Sequence, residues 1–280
     1  MQYTKGALEG IVVLDLSRVL AGPYCSMILS DMGAEVIKAE IPGKGDDTRG
    51  FPPFKDGKSG YFMNMNRNKK GITLDLKKGK GIFLELVEKA DILIENYRPG
   101  TMEKLGIGYE ELKKINPRLV YGCISGFGHY GPYSSRPGYD IVGQAMSGIM
   151  SVTGWPDGEA TRAGAPVSDA VAGISLAAGV LGALHYAQKT GIGQKVDIAL
   201  VDSIVSVMQI INQIYLIGGR VPGRTGNAYE STAPYDTFPT KDGERVVIGV
   251  ANDKFWKQLC EMMGREDLIN HPDMQKNGDR

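Results

Sequence analysis

Residues 11–39 read IVVLDLSRVLAGPYCSMILSDMGAEVIKA, and this stretch decides the fold. The apolar run at residues 11–15 predicts a short buried strand, and residues 35–39 predict a second one. Between them, residues 23–32 are typical of a helix that ends at Gly33. A strand, a helix and a second strand in this order, joined by short connections, indicate a parallel β-α-β unit.

The same alternation continues outward along the chain, after a polar loop rich in glycine and proline at residues 42–58. It predicts a parallel sheet covered by helices on both faces. The further predicted strands are residues 91–95, 119–124 and 195–199, and the further predicted helices are residues 79–90, 109–115, 140–150, 169–188 and 201–217.

The character of the sequence changes after Gly218, where residues 218–227 form a linker rich in glycine and arginine. Residues 235–239 and 245–250 flank a Lys-Asp-Gly turn, which indicates a β-hairpin, and a helix is predicted at residues 255–263. We therefore predict a large Rossmann-like domain over residues 1–220 and the start of a small α+β domain over residues 221–280. This short second stretch offers a thin core, and we expect the small domain to be incomplete.

Composition excludes several classes of protein. Hydrophobic residues make up 42% and charged residues 23% of the 280 positions, as in ordinary globular chains. The 32 basic and 32 acidic residues balance, which gives no electrostatic reason to expect nucleic acid or an anionic membrane as a partner. Three widely spaced cysteines rule out a disulfide scaffold and a CxxC metal site. We expect a cytoplasmic protein without a bound metal.

Familiar catalytic motifs do not account for this sequence. Gly126-Phe-Gly-His-Tyr-Gly131 matches GxGxxG, but Pro132 and Pro137 follow it where a dinucleotide-binding motif would open a helix. No GxSxG motif supplies a serine nucleophile. The three histidines (His129, His185 and His271) do not have the spacing of metal ligands.

Asp169 is the carboxylate with the most suggestive position. It follows Gly164-Ala-Pro-Val-Ser168 and begins a long helix of small residues. A first-turn acid stabilises a helix by capping it or by interacting with its dipole. A carboxylate nucleophile at a helix start is the alternative, and nearby glycines would let a large ligand approach. The residues alone leave both interpretations open.

The order and spacing of several segments resemble the family III CoA-transferases, of the CaiB/BaiF type that includes formyl-CoA transferase. The resemblance extends from Leu8 to the mid-270s, over nearly the whole chain. The segments that carry it are residues 10–23, 33–40 with Gly45-Asp46, 68–77, 90–100, 116–118, 138–140, 189–194 and 224–227, the last ahead of Asp242-Gly243.

The resemblance implies a fold and a reaction. The fold is a large Rossmann-like domain plus a small α+β domain, in an interlocked homodimer, and a C-terminal return segment is expected to be missing here. The reaction moves CoA from an acyl-CoA to a small free carboxylic acid. Asp169 would be the nucleophile, passing through an aspartyl anhydride and an aspartyl thioester. No cofactor is bound permanently, because CoA is a co-substrate, and no metal is used.

The resemblance also implies the positions that contact CoA. Leu20 and Ile41 depart from the formyl-CoA transferase pattern, where a glutamine and an arginine stand, which argues against formyl and oxalyl specificity. The implied CoA contacts are Val19, Ala21, Leu74, Asp75, Lys77, Asn96, Tyr97, Arg98, Lys104 and Tyr139.

Two alternatives share this fold. An α-methylacyl-CoA racemase would need a histidine where this chain has Tyr139, since a tyrosine with a pKa near 10 is a poor base at neutral pH. A truncated, non-catalytic paralogue that binds CoA is the other alternative. The presence of Asp169 favours an enzyme.

Overall fold

The computed structural model describes residues 6–280, which form two compact units. The first contains the described residues up to Gly148 together with Gly164–Gln209, and the second contains Ile149–Ala163 and Ile210–Arg280. The predicted domain boundary at residue 220 stays a prediction, because a compact unit is not by itself an independently folding domain.

A six-stranded parallel sheet is the centre of the first unit. The predicted strands of this unit are confirmed, and the α/β fold class with them. Its strands are β1 (Val12–Asp15), β2 (Glu35–Glu40), β5 (Lys70–Thr73), β6 (Ile92–Glu95), β7 (Val120–Ser125) and β8 (Lys195–Ala199). Their order across the sheet is β5-β2-β1-β6-β7-β8.

The edge strand β5 and a small hairpin were not predicted. The hairpin pairs β3 (Phe54–Lys55) with β4 (Lys58–Ser59) inside the loop expected at residues 42–58. Both are short, and β5 has mostly exposed residues. They therefore lack the continuous apolar run that indicates a buried parallel strand.

Helices cover both faces of the sheet, as the alternation predicts. In the first unit they are α1 (Ala21–Asp31), α2 (Gly60–Met65), α3 (Lys80–Lys89), α4 (Thr101–Lys104), α5 (Tyr109–Ile115), α6 (Asp140–Ser147), α8 (Val167–Thr190) and α9 (Leu200–Val207). The second unit contains α7 (Ile149–Val152), α10 (Ile210–Leu216) and α11 (Asp253–Met263).

Two helices predicted as continuous are each broken in two, so those predictions are wrong at the break. The helix expected over residues 140–150 ends at Ser147, because Gly148 has φ +90°. The helix expected over residues 201–217 ends at Val207, and Gln209 has φ +46°. A left-handed residue cannot continue a right-handed helix, and hydrophobic periodicity does not reveal it.

Alternate residues of the central strands point to opposite faces of the sheet and pack in two separate hydrophobic cores. Val13, Ile92 and Ile94 face α1 and α8, whereas Leu14 and Leu93 face the side covered by α3, α4 and α5. The helix α8 is long and apolar enough to cross a membrane by length and composition. Its buried residues pack in the first of these cores, so α8 is a core helix of the α/β unit.

The second unit contains the predicted hairpin, formed by β9 (Tyr235–Pro239) and β10 (Arg245–Gly249) in antiparallel register. Val250, Trp256 and Cys260 form its buried cluster, between the hairpin strand end and α11. The hairpin and the helix α11 that follows it confirm the secondary structure predicted for this region.

Candidate active site

A pocket of about 350 Å³ opens at the carboxyl edge of the parallel sheet. The chain runs from β1 to β2 on one side and later returns to β6 on the other side of β1. Such a reversal leaves a crevice between two strand ends, where open α/β sheets bind ligands. The lining consists of Arg18, Val19, Leu20, Ala21, Asn96, Tyr97, Arg98, Pro99, Thr101, Ile124, Ser125, Gly126, Arg136, Pro137, Gly138, Tyr139, Asp169 and Leu200.

Asp169 lies in this pocket, in the first turn of α8. Its carboxylate oxygens have no hydrogen-bond partner among residues 6–280, and the side chain is half-buried. Burial, followed by the nearby charge of Asp140, raises the pKa of Asp169 to about 7. A carboxylate with a raised pKa and free oxygens is a better nucleophile in its ionised form than an ordinary surface aspartate.

The neighbouring acid Asp140 provides the capping contacts of α8. Its Oδ1 accepts hydrogen bonds from the backbone amides of Ser168, at 2.8 Å, and Asp169, at 3.4 Å. Its Oδ2 accepts a hydrogen bond of 2.7 Å from Nε2 of the buried Gln144. The capping interpretation of Asp169 therefore does not describe its side chain, because another residue satisfies these helix amides.

Buried ion pairs support the loop that follows β1. Lys69 Nζ lies 3.0 Å from Asp15, and Lys38 Nζ lies 3.0 Å from Asp46, with all four side chains buried. Burial alone would raise the pKa of Asp15, but Lys69, Lys38 and two serine hydroxyls outweigh it and lower that pKa. Lys38 Nζ also donates to the carbonyl of Ser17 at 2.8 Å, which ties the pairs to the pocket loop.

A second buried polar cluster lies behind the loop that follows β6. The Glu95 carboxylate accepts hydrogen bonds from the Tyr97 amide at 2.6 Å and from the Tyr121 hydroxyl at 3.1 Å. Burial raises the pKa of Glu95 to about 7. Because Tyr97 lines the pocket, this carboxylate holds part of the pocket wall from behind.

The ligand atoms of Glu95, Cys123 and His129 lie within 4.8 Å of one another, but this cluster does not fit a metal. Lys195 Nζ lies 3.0 Å from His129 Nδ1. Because the Lys195 ammonium donates a hydrogen bond to Nδ1, a neutral His129 carries its proton on Nε2, the nitrogen that faces Glu95. Neither ring nitrogen then has a free lone pair for a metal ion. Burial, followed by the charge of Glu95, also raises the pKa of the Cys123 thiol, so a thiolate ligand is disfavoured.

The structure brings most of the predicted site residues together. Within the described chain, the pocket lining does not include Leu74, Asp75, Lys77 or Lys104. Asp75 instead accepts hydrogen bonds from the amides of Lys77 and Lys78 in a local turn after β5, at the same edge of the sheet. The predicted site residues that do line the pocket are Val19, Ala21, Asn96, Tyr97, Arg98, Tyr139 and Asp169.

Three residues of the site were not singled out from the sequence. Arg18 and Arg136 line the pocket, and Asp140 caps the helix of Asp169. The adjacent Gly138-Tyr-Asp140 segment was a signal for Asp140, since it carries part of the resemblance. No pattern marked the arginines, because isolated arginines in loops are common at protein surfaces.

Comparisons with known proteins agree with this architecture. The profile of CoA-transferase family III matches residues 8–280. An acetyl-CoA:oxalate CoA-transferase from Acetobacter aceti is 44% identical over 279 residues, covering 99% of this chain and 72% of the relative. A succinyl-CoA:mesaconate CoA-transferase from Haloarcula hispanica is also 44% identical, over 96% of this chain and 70% of the relative.

A solved structure shows the same fold. The crystal structure of a CaiB/BaiF family protein from Brucella suis superposes with a TM-score of 0.85 at 39% sequence identity. The match covers 99% of this chain and 75% of that protein. The α/β fold of this chain therefore matches that of a solved CaiB/BaiF family protein.

Proposed function

Because this chain belongs to CoA-transferase family III and transfers CoA between acyl-CoA esters and carboxylic acids, we propose that Asp169 is the nucleophile of that transfer. The observation that carries the proposal is the position of its carboxylate, with unpaired oxygens, in the pocket at the carboxyl edge of the sheet. No other carboxylate is part of the pocket lining in the described chain.

The reaction proceeds through exchanges of comparably activated acyl groups. The Asp169 carboxylate attacks the donor thioester carbonyl and releases CoA thiolate, forming a mixed anhydride. The thiolate then attacks the aspartyl carbonyl, which forms an aspartyl-CoA thioester and releases the donor acid. The acceptor carboxylate attacks this thioester to give a second anhydride and CoA thiolate. Attack of the thiolate on the acceptor carbonyl gives the product thioester and restores the carboxylate.

The surroundings of Asp169 suit this chemistry. The carboxylate lies at the N-terminal end of a 24-residue helix, where the helix dipole favours negative charge. Burial and the charge of Asp140 act against the helix dipole and raise the pKa of Asp169. A carboxylate with a higher pKa is more basic, and its ionised form is therefore more reactive as a nucleophile. Since an anhydride and a thioester are of similar reactivity, neither ATP nor a metal is needed to drive the exchange.

The same pocket supplies the groups for CoA. Val19, Ala21, Asn96, Tyr97, Arg98 and Tyr139 line it. The resemblance implies that all six contact CoA, and we propose a direct contact for all of them except Asn96. Leu74, Asp75, Lys77 and Lys104 are proposed to contact the outer part of the nucleotide, since the segment after β5 and the helix α4 after β6 both follow strand ends at the same sheet edge. Guanidinium groups at Arg18 and Arg98 match phosphate oxygens in geometry and charge.

A trapping experiment tests the nucleophile. The chain is incubated with an acyl-CoA and hydroxylamine, and residue 169 is examined by peptide mass spectrometry. We expect an aspartyl hydroxamate at Asp169, because hydroxylamine captures both the anhydride and the thioester. Asp169→Asn should lose transfer by at least about 10³-fold.

The matched control is Asp202→Asn, which changes an exposed aspartate in the first turn of α9. This variant should transfer CoA at the wild-type rate and still form the hydroxamate at residue 169. A fully active Asp169→Asn variant, or a hydroxamate at another carboxylate, would contradict the assignment.

We further propose that the acceptor is a dicarboxylic acid. Both relatives described above act, by name, on dicarboxylates. Arg136 is a third arginine in the pocket, beside the Arg18 and Arg98 that are proposed to hold phosphate, and its guanidinium offers a partner for a second carboxylate. A panel of mono- and dicarboxylic acids of equal chain length tests this: preference for the monocarboxylates would overturn it.

The interlocked homodimer and the cytoplasmic location also remain proposals. Exposed apolar side chains in the first unit, such as Ile141 and Ile174, support an association with a second chain. The three cysteines are free and buried, which suits a reducing compartment. Light scattering coupled to size-exclusion chromatography tests the dimer, and a monomeric mass would contradict it.

A further inference from the structure

Val19 has a backbone conformation that its side chain disfavours. Its φ is +67°, in the left-handed region, and it lines the pocket from the loop that follows the strand β1. A β-branched residue in this region is a true outlier, because its Cβ substituents crowd the backbone. Such a conformation persists only when the surrounding structure holds it, and it is concentrated at functional sites.

Asn96 holds the two peptide groups on either side of Arg18, the residue before Val19. Its Oδ1 accepts a hydrogen bond from the Arg18 amide at 2.8 Å, and its Nδ2 donates to the Arg18 carbonyl at 2.7 Å. The second of these peptide groups ends at the Val19 nitrogen, and that nitrogen donates to Asp46 Oδ1 at 3.3 Å. The peptide leading into Val19 is therefore fixed from both sides.

Asn96 is itself firmly placed. It follows directly on β6, and the next amide, of Tyr97, donates to the buried Glu95 carboxylate. Both the oxygen and the nitrogen of the Asn96 side chain are engaged by Arg18. The side chain therefore acts on the loop after β1, and through it on the pocket wall.

We propose that Asn96 is a positioning residue that keeps Val19 in its left-handed conformation, so that the backbone of the loop after β1 is preorganised for CoA. The inference rests on the proposed binding of CoA in this pocket. It changes the role of Asn96 from a direct contact to an indirect one. The cost of ordering the loop is then met before the ligand arrives, which favours binding.

A double-mutant cycle tests the proposal, with the dissociation constant of CoA measured by isothermal titration calorimetry. Asn96→Ala is made in the wild-type chain and in a Val19→Gly chain. In the wild-type background we expect the dissociation constant to rise about tenfold, or about 1.4 kcal/mol. In the Val19→Gly background we expect a rise of less than about twofold, because glycine adopts a positive φ without support.

A second variant guards against a simple folding defect. Asn96→Asp keeps the acceptor for the Arg18 amide but places a carboxylate oxygen against the Arg18 carbonyl, and because these oxygens repel one another its loss of affinity should equal or exceed that of Asn96→Ala. Asn270 is an exposed asparagine in the second unit, and Asn270→Ala is the matched control for an asparagine-to-alanine change away from the pocket. This variant should bind CoA with the wild-type dissociation constant.

The outcomes separate the positioning role from the proposed function. An equal loss of affinity from Asn96→Ala in both backgrounds means that Asn96 contacts CoA directly, which overturns the inference and leaves the pocket assignment intact. A wild-type chain that does not bind CoA overturns the pocket assignment itself. A loss confined to the valine background supports the inference.

Discussion

The Asp140 carboxylate accepts a hydrogen bond from the backbone amide of Asp169, and the side chain of Asp169 points its free oxygens into the pocket. The first helical residue of α6 thus caps the helix that carries the proposed nucleophile. One neighbour provides both the structural contact and the negative charge that raises the pKa of Asp169. The two effects can be separated by substitution.

Removing the charge of Asp140 should shift the pH dependence of transfer. Only ionised Asp169 attacks the thioester, so kcat/KM rises with pH through a pKa of about 7. Asp140→Asn keeps an oxygen that can cap α8 but removes the like charge, which lowers the pKa of Asp169. We expect the acid limb of the profile to move to lower pH by about half a unit to one unit.

The pH profiles of the wild type, Asp140→Asn and the control Asp202→Asn are compared at constant ionic strength. Asp202→Asn should leave the limb in place. An acid limb that stays unchanged in Asp140→Asn, or moves to higher pH, would show that another group governs the profile.

Asp169→Asn should stabilise the folded chain at neutral pH. A carboxyl whose pKa is raised in the folded state binds more protons folded than unfolded between about pH 4 and 7, so stability falls as pH rises across this window. A neutral amide does not carry this cost. Allowing for partial exposure, we expect a gain of about 1 kcal/mol at pH 8 that disappears near pH 4.

Thermal unfolding of both proteins at pH 4, 6 and 8 measures this difference. A melting temperature of Asp169→Asn below that of wild type at pH 8 would contradict a destabilising buried charge at this position.

The chain should not exchange the α-proton of a 2-methylacyl-CoA in heavy water while it transfers CoA. Racemisation needs an acid and a base on opposite faces of the α-carbon. The lining of the pocket in the described chain includes no histidine, and the position that would hold one is Tyr139, whose side chain is 73% exposed. Mass spectrometry of the recovered thioester checks this, and rapid deuteration without transfer would favour a racemase.

Gly143→Ala should disrupt the packing that places Asp169. A Cβ at Gly143 would lie 2.1 Å from Ser168 Oγ and 3.2 Å from Leu200 Cβ, where α6, α8 and α9 meet. Overpacking of this kind typically costs about 1–3 kcal/mol, and here it also displaces the residue next to Asp169. We expect a lower melting temperature and a lower kcat.

Gly182→Ala is the matched control, since a Cβ there meets nothing within 4 Å and alanine favours a helix. It should melt at or above the wild-type temperature. A Gly143→Ala variant with the wild-type melting temperature and the wild-type kcat would show that α6, α8 and α9 make room for the added methyl group without cost.

Much of the fold follows from sequence periodicity. Apolar runs such as that of β6 and the alternation of strands with helices determine a parallel sheet covered on both faces, because only that arrangement buries them. The edge strand β5 and the breaks at Gly148 and Gln209 are not encoded in this pattern. They depend on exposure at a sheet edge and on single left-handed residues.

The candidate site divides in the same way. The sequence by itself determined Asp169 as a first-turn acid of a long helix, and its family resemblance added the segments near Val19, Asn96 and Tyr139. Only the tertiary structure decided that Asp140, 29 residues earlier, caps this helix, and that Asn96 holds the loop before Val19. Such contacts join residues far apart in the chain, and their hydrogen-bond geometry exists only when the strands have brought their ends together at one edge of the sheet.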